Sequence, residues 1–238
     1  MKTVVFGDIH GCYNELVSIV KKTKLDKKND KVIFLGDYTD RGPDSYKVFK
    51  YIEKMKKEMG DRLVLIRGNH EEFVLDYVKN GDLSLWFYNG GSATMQAFYD
   101  GVKKETGRKR IKAYAEFLEK NTQLFYEEED FFAVHAGLLN EHPAVTVKED
   151  KDTLVWDRYM FRNGLYKGKL AFVGHTPVIS PVIIDRKEDG EMDTTIFEYE
   201  KHYDLPKTGL LGIDTGCFST GVLTAAVVQN GALLFIKN

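Results

Sequence analysis

Cysteine is scarce in this 238-residue chain: Cys12 and Cys217 are the only two, and they lie far apart. That spacing makes neither a disulfide framework nor a zinc-finger pattern, so a reducing compartment is the simpler setting. No apolar run reaches membrane-spanning length, and the apolar stretch in the opening MKTVVFGDIHG is too short for a signal-peptide core. A soluble, cytoplasmic protein with no membrane partner is expected. Neither sign of charge dominates, since 34 Lys and Arg stand against 36 Asp and Glu. The net charge of −2 gives no general attraction to nucleic acid or to anionic membranes. Internal repeats and low-complexity tracts are also missing. What is present is an ordinary globular composition, 43% hydrophobic and 29% charged, with length enough for one large domain spanning 1–238.

The first seventy residues repeat one theme, an apolar β-branched run ending in glycine and a polar residue, followed by a helical pattern. TVVF leads to GDIHG and then to YNELVSIVKK, whose Leu16, Ile19 and Val20 fall on one helical face. KVIFLGDYTDRGPDS leads to a helix with Val48, Ile52, Met55 and Met59 at helical spacing and Asp44 as N-cap. LVLIRGNH leads to EEFVLDYV, closed by Asn80-Gly81. Strand, polar loop and helix in alternation predict an α/β layered fold, in which ligands collect outside the carboxyl ends of the strands. Residues 82–130 read as an amphipathic helical cap with Ile111, Tyr114, Phe117 and Leu118 buried. The remainder reads as strands: FFAVHAG, LAFVGHTP, ISPVIID, TTIFEYE, then VLTAAVV and ALLFIKN joined by an Asn230-Gly231 hairpin turn. DRKEDGEMD, 185–193, reads as a surface loop or hairpin end. The expectation is two packed mixed sheets flanked by helices.

Five strand-end motifs carry the chemistry: GDIHG, GDYTDRG, GNHE, HAG and GHTP. Singly, each has a plain structural explanation, because Gly-Asp after a strand is often a turn or cap and a lone histidine is more often a satisfied interior residue. Together they do not, since four fixed letters recur by accident in roughly one chain in a thousand of this length. Asp8, His10, Asp37, Asn69, His135 and His175 would make a mixed nitrogen and oxygen donor set without thiolate, suited to manganese, iron or zinc. Six donors exceed what one open metal needs, so two divalent ions sharing an aspartate are expected. Such a centre keeps about two positive charges, attracts an anion, and can acidify water for in-line attack on phosphorus. His70, next to Asn69, is then the acid for the leaving alkoxide, with Asp40 holding its imidazolium and raising its pKa. Arg41 offers a planar fork to phosphate oxygens.

These motifs resemble the calcineurin-like metallophosphoesterase superfamily, and GDYTDRG with RGNHE resembles its phosphoprotein phosphatase branch in the short bacterial and phage form. The resemblance spans residues 7–177 in the family's order. It implies a four-layer αββα sandwich and a dinuclear centre, commonly activated by manganese. It also implies Asp8, His10, Asp37, Asn69, His135 and His175 as ligands with Asp37 bridging, His70 as proton donor, Asp40 as its partner and Arg41 as a phosphate contact. A second phosphate arginine falls in LVWDRYMFR, where Arg158 is preferred to Arg162. NGGSAT, 89–94, resembles a bacterial subfamily segment expected to shape the substrate cleft, although a glycine turn before a Ser92-capped helix also explains it. IDTGC resembles the segment after the last histidine, with Asp214 either supporting the metal site or making a turn.

The expected activity is hydrolysis of phosphoserine or phosphothreonine in proteins by a hydroxide bridging the two metals. The alternative substrate is a dinucleoside polyphosphate such as diadenosine tetraphosphate, although Asp40 departs from the GDLVARG of the symmetrical type. An inactive binding scaffold ranks last, because no ligand or acid is missing. The long C-terminal elements of eukaryotic relatives are absent, so no regulatory subunit is implied. The basic run KKETGRKRIK, 103–112, reads as a solvated helix face, and Cys12, Cys217, His142 and His202 receive no mechanistic role.

Overall fold

The computed structural model describes every residue except Glu141 and Glu188. The first half delivers three strand–helix units: β1 (Thr3–Phe6), α1 (Tyr13–Lys22), β2 (Lys31–Phe34), α2 (Ser45–Met59), β3 (Leu63–Ile66) and α3 (Asn69–Asn80). α4 (Ser84–Tyr88), α5 (Gly91–Tyr99) and α6 (Lys104–Asn121) follow, then the short strands β4 (Thr122–Gln123), β5 (Phe125–Glu127) and β6 (Phe132–Val134). Next come α7 (Pro143–Glu149), α8 (Lys151–Trp156), α9 (Tyr159–Arg162), β7 (Ala171–Val173), β8 (Val182–Arg186), β9 (Met192–Ile196) and β10 (His202–Asp204). The chain closes with β11 (Leu210–Gly212), α10 (Cys217–Thr220), β12 (Thr224–Gln229) and β13 (Ala232–Lys237). Strand order is β10-β13-β12-β1-β2-β3-β4 in one sheet and β5-β6-β7-β11-β8-β9 in the other.

Period-two alternation divides each strand between two cores, and this is what stacks the layers. Val4 and Phe6, Val32 and Phe34, and Leu63 and Leu65 face the helices α1, α2, α3, α5 and α6. Their neighbours Val5, Ile33, Leu35, Val64 and Ile66 face Ala133, Phe172, Ile183 and Leu211 of the second sheet. The outer face of that sheet, through Phe132, Val134, Ala171, Val173 and Leu210, packs on Leu154 and Phe161 of α8 and α9. The result is the four-layer αββα arrangement. Within each sheet the site-bearing strands run parallel: β1, β2 and β3 in the first, β6, β7 and β11 in the second. Their carboxyl ends therefore open on one rim.

Several local readings hold. Leu16, Ile19 and Val20 are buried on α1, and Val48, Ile52, Met55 and Met59 on α2. Gly81 ends α3 in the left-handed conformation, and the Asn230-Gly231 turn joins β12 to β13 with both residues at positive φ. Others differ. Asp44 occupies the N-cap position of α2 without a capping hydrogen bond and instead pairs with Lys47 at 2.7 Å. Ser92 lies inside α5, whose N-cap is Gly90. Helices fill 84–121 of the 82–130 segment, and their buried Ile111, Tyr114 and Leu118 join the core over the first sheet. Residues 122–127 add an edge strand to each sheet. Helices α7 to α9 and strand β11 were not evident from sequence.

Candidate active site

Every candidate donor lies just past the carboxyl end of a strand: Asp8 and His10 after β1, Asp37 after β2, Asn69 and His70 at the start of α3 after β3, His135 after β6, His175 after β7. All are buried, and the structure brings His10, Asp37, His70, His135 and His175 into two groups that share Asp37, with Asp8 and Asn69 beside them. Ligating atoms of His10, Asp37 and His70 lie within 4.8 Å of one another, as do those of Asp37, His135 and His175. Asn69 Oδ1 lies 3.0 Å from His135 Nε2, and Asp8 Oδ2 accepts the His175 N–H at 3.0 Å. The backbone is bent hard to achieve this. His10, Asp37, Asp40, Arg41 and His175 all have positive φ, a conformation costing roughly 1–3 kcal/mol per non-glycine residue. Two glycines make room: a Cβ on Gly68 would run into Asp37 Oδ1, and one on Gly174 into Asp8 Oδ1.

Hydrogen bonds fix which ring nitrogen points inward. A backbone carbonyl can only accept, so the nitrogens facing carbonyls carry the proton. His10 Nδ1 donates to Thr39 O at 2.9 Å, His135 Nδ1 to Leu35 O at 2.8 Å, and His175 Nε2 to Trp156 O at 3.1 Å. The remaining nitrogen of each ring turns a lone pair toward Asp37 and its surroundings. Burial is the strongest influence on all three, lowering His10 and His135 from their usual value and taking His175 to about 3. They are neutral imidazoles with one anchored tautomer, the form in which histidine ligates metal.

His70 is different. Its Nδ1 donates to Asp40 Oδ2 at 2.7 Å, entirely buried. Burial works against its cation, but the charges of Asp37 and Asp40 and this hydrogen bond outweigh it and raise the pKa. Asp40 in turn accepts from Trp86 Nε1 at 2.8 and 2.9 Å and from Thr94 Oγ1 at 2.6 Å. Trp86 and Thr94 come from α4 and α5, and neither role was read from sequence. The NGGSAT segment was the available signal: it supplies Thr94, and the carbonyl of its Gly90 accepts the Arg41 N–H at 3.1 Å.

The carboxylates show what the site lacks in compensating charge. Burial, with Asp214 and Asp37 nearby, pushes Asp8 well above the usual range. Burial raises Asp214 to about 6 and, with the charge of Asp37, Glu71 to about 8. Burial opposes the charge of Asp37 too, yet His135, His70, His10 and His175 together hold its carboxyl below the usual range. Asp8 Oδ1 is buried with no hydrogen-bond partner. An orphaned carboxylate oxygen beside inward lone pairs is the arrangement that divalent cations complete. The residues present fit such ions. Glu71, the last letter of RGNHE, accepts backbone N–H groups of Asp37, Tyr38 and Gly68 at 2.7, 2.9 and 2.9 Å, tying two site turns together. Asp214 accepts from Gly216 at 2.8 Å, which gives it the turn role as well as its charge beside Asp8.

The arginines line the opening. Arg41 donates from Nη1 to His10 Nε2 at 2.6 Å and from Nη2 to His70 Nε2 at 2.9 Å, and it stacks 5.2 Å above Phe218. Arg158, half-buried, donates to His175 O at 2.6 Å, whereas Arg162 is exposed on α9. Cys12 and Cys217 are free and buried in the core over the first sheet. His142 accepts from the Ala144 N–H at the start of α7 and pairs with Glu127, away from the site. No helix among the described residues is long and apolar enough to cross a membrane.

Comparison with known proteins agrees with this geometry. The sequence profile of the family described as calcineurin-like phosphoesterase matches residues 1–205. Serine/threonine-protein phosphatase 1 of Salmonella typhimurium is 28% identical over 233 residues, covering 94% of this chain and 91% of that one. The asymmetrical bis(5'-nucleosyl)-tetraphosphatase PrpE of Oceanobacillus iheyensis is 27% identical over 250 residues, covering 94% and 88%. In fold, the structure superposes on a metallophosphoesterase from Sphaerobacter thermophilus with a TM-score of 0.66 at 15% identity, covering 100% of this chain and 88% of the other. With most of its length matched by the family profile, the chain belongs to the calcineurin-like phosphoesterases and is a hydrolase of that family.

Proposed function

We propose that the protein is a phosphomonoesterase acting on phosphoserine and phosphothreonine in proteins, with 1–238 working as one unit. One observation carries this reading: three buried imidazoles are held neutral with lone pairs converging around Asp37, while a fourth, His70, is paired with a carboxylate and kept basic. In this reading Asp8, His10, Asp37, Asn69, His135 and His175 would hold two divalent cations, with Asp37 available to both because both donor groups include it. The nitrogen and oxygen donors suit manganese. Bound there, such ions would neutralise phosphate charge and acidify water. Arg41 and Arg158 bind the remaining phosphate oxygens. Arg41 spends both Nη groups on His10 and His70; turned to phosphate, it would leave His70 Nε2 free to carry a proton. His70 then protonates the departing seryl or threonyl oxygen, its ring fixed by Asp40 and, behind that, by Trp86 and Thr94. The two free cysteines suit a reducing, cytoplasmic setting.

The similarity to a named dinucleoside tetraphosphatase at nearly the same identity supports a second reading, hydrolysis of diadenosine tetraphosphate. The two are separated by assaying one manganese-supplemented preparation on phosphopeptides and on the dinucleotide. Higher kcat/KM for phosphopeptide is expected, and a strong preference for the dinucleotide reverses the assignment. Absence of activity on p-nitrophenyl phosphate with added manganese would return the inactive scaffold to first place.

A further inference from the structure

A cleft of about 370 Å³ lies between α3, α4 and α8, beside the candidate active site, and Trp86, which donates to Asp40, is part of its lining. Its position is set by two aromatic walls shared with that site. Phe73, on the cleft floor, meets His70 edge-on with centroids 5.5 Å apart. Trp156 meets Phe73 at 5.4 Å and His175 at 6.0 Å, and 42% of its surface is exposed. These ring contacts place the cleft on the side of His70, the residue proposed to protonate the leaving group, so residues flanking a phosphorylated side chain bound there would lie near it.

The charge of the lining is one-sided. Glu72, Asp76, Asp82 and Asp152 face a single ammonium, that of Lys151. Lys151 is engaged with Glu72 at 3.6 Å, as is Arg67 at 3.5 Å. Asp82 caps the Ser84 N–H. Asp76, Asp82 and Asp152 have no cationic partner within ion-pair distance among the described residues. An exposed indole face beside unpaired carboxylates is itself a receptor for ammonium and guanidinium groups, because the ring quadrupole attracts cations. A dinucleoside polyphosphate would bring more negative charge against these carboxylates, whereas lysine or arginine would meet them favourably.

We propose that this cleft selects phosphoprotein substrates carrying lysine or arginine beside the phosphorylated residue, with Asp76, Asp152 and Trp156 as the specificity determinants. The proposal rests on the phosphoprotein reading of the site. Its test uses the full-length, manganese-loaded protein and two phosphoserine peptides that differ only in flanking residues, arginines in one and glutamates in the other. Diadenosine tetraphosphate and p-nitrophenyl phosphate serve as further substrates. The arginine peptide should show a kcat/KM higher by roughly fivefold, the most that one exposed ion pair contributes, and the advantage should shrink as salt is raised. Asp76→Asn with Asp152→Asn should erase most of that preference through KM while leaving turnover of p-nitrophenyl phosphate unchanged. Equal use of both peptides, or a preference untouched by the double substitution, overturns the proposal while leaving the phosphoprotein reading in place. Hydrolysis of the dinucleotide with neither peptide used overturns both.

Discussion

The two sides of the active site treat the same side chain in opposite ways. Around His10, His135 and His175, burial and backbone carbonyls leave a neutral ring with one inward lone pair. Around His70, two carboxylates reverse the effect of the same burial and favour the cation. The difference lies in what faces Nδ1 or Nε2, since a carbonyl fixes a tautomer whereas a carboxylate also stabilises charge. Geometry alone does not separate these roles, because His70 stands with His10 and Asp37 in one of the two donor groups. The second sphere of hydrogen bonds does.

The most severe way to break this comparison is to remove the charge both sides share. Asp37→Asn should abolish tight binding of at least one of the two proposed cations, with hydrolysis falling to background. Two equivalents of manganese retained per chain by elemental analysis would count against Asp37 lying between them. His70→Asn acts on one side only. Both metals should remain, while hydrolysis slows by about 10²–10⁴-fold for alkyl phosphates and much less for p-nitrophenyl phosphate, whose leaving group needs no proton. Equal losses on the two esters would rule out the acid role.

A smaller change sharpens the comparison further back. Trp86→Phe keeps the aromatic bulk but deletes the N–H that both Asp40 oxygens accept. If that bond positions Asp40 for His70, kcat on alkyl phosphates should fall roughly tenfold, the equivalent of about 1.4 kcal/mol from a hydrogen bond to a charged group, with metal content unchanged. A similar loss on p-nitrophenyl phosphate would show that the substitution disturbs the site as a whole and not the donor.

How much of this was readable beforehand follows from distance along the chain. The meeting of the polar residues that follow β1, β2 and β3 was legible because each apolar strand is followed at once by them, and the sheet order brings those strand ends together. Trp86 and Thr94 were not, since they lie 46 and 54 residues from Asp40 and nothing in their local sequence marks a buried partner. Helices α7, α8 and α9 span seven, six and four residues, too short for a helical period to show. β11 has only three residues, and its identity comes from pairing with β7 and β8. Asp44 holds the N-cap position of α2, but its carboxylate pairs with Lys47 and makes no capping bond, and Ser92 falls inside α5 because the left-handed Gly90 takes the N-cap.

The mildest test concerns the two arginines of LVWDRYMFR, which sequence could rank only by resemblance. Arg158 is half-buried, donates to the His175 carbonyl, and has its pKa lowered, by burial first and then by Arg162. A guanidinium taken out of water this way regains that cost by binding an anion. Arg162 is exposed, reaches no carboxylate within ion-pair distance among the described residues, and stays hydrated. Arg158→Ala should therefore raise KM for p-nitrophenyl phosphate several-fold, and Arg162→Ala should leave it within about twofold, as expected for a surface substitution. Because the Arg158 substitution also frees the His175 carbonyl, metal content must be measured beside KM. A raised KM with both metals retained assigns Arg158 to phosphate, whereas a rise seen only with metal loss would make it a brace for the His175 turn.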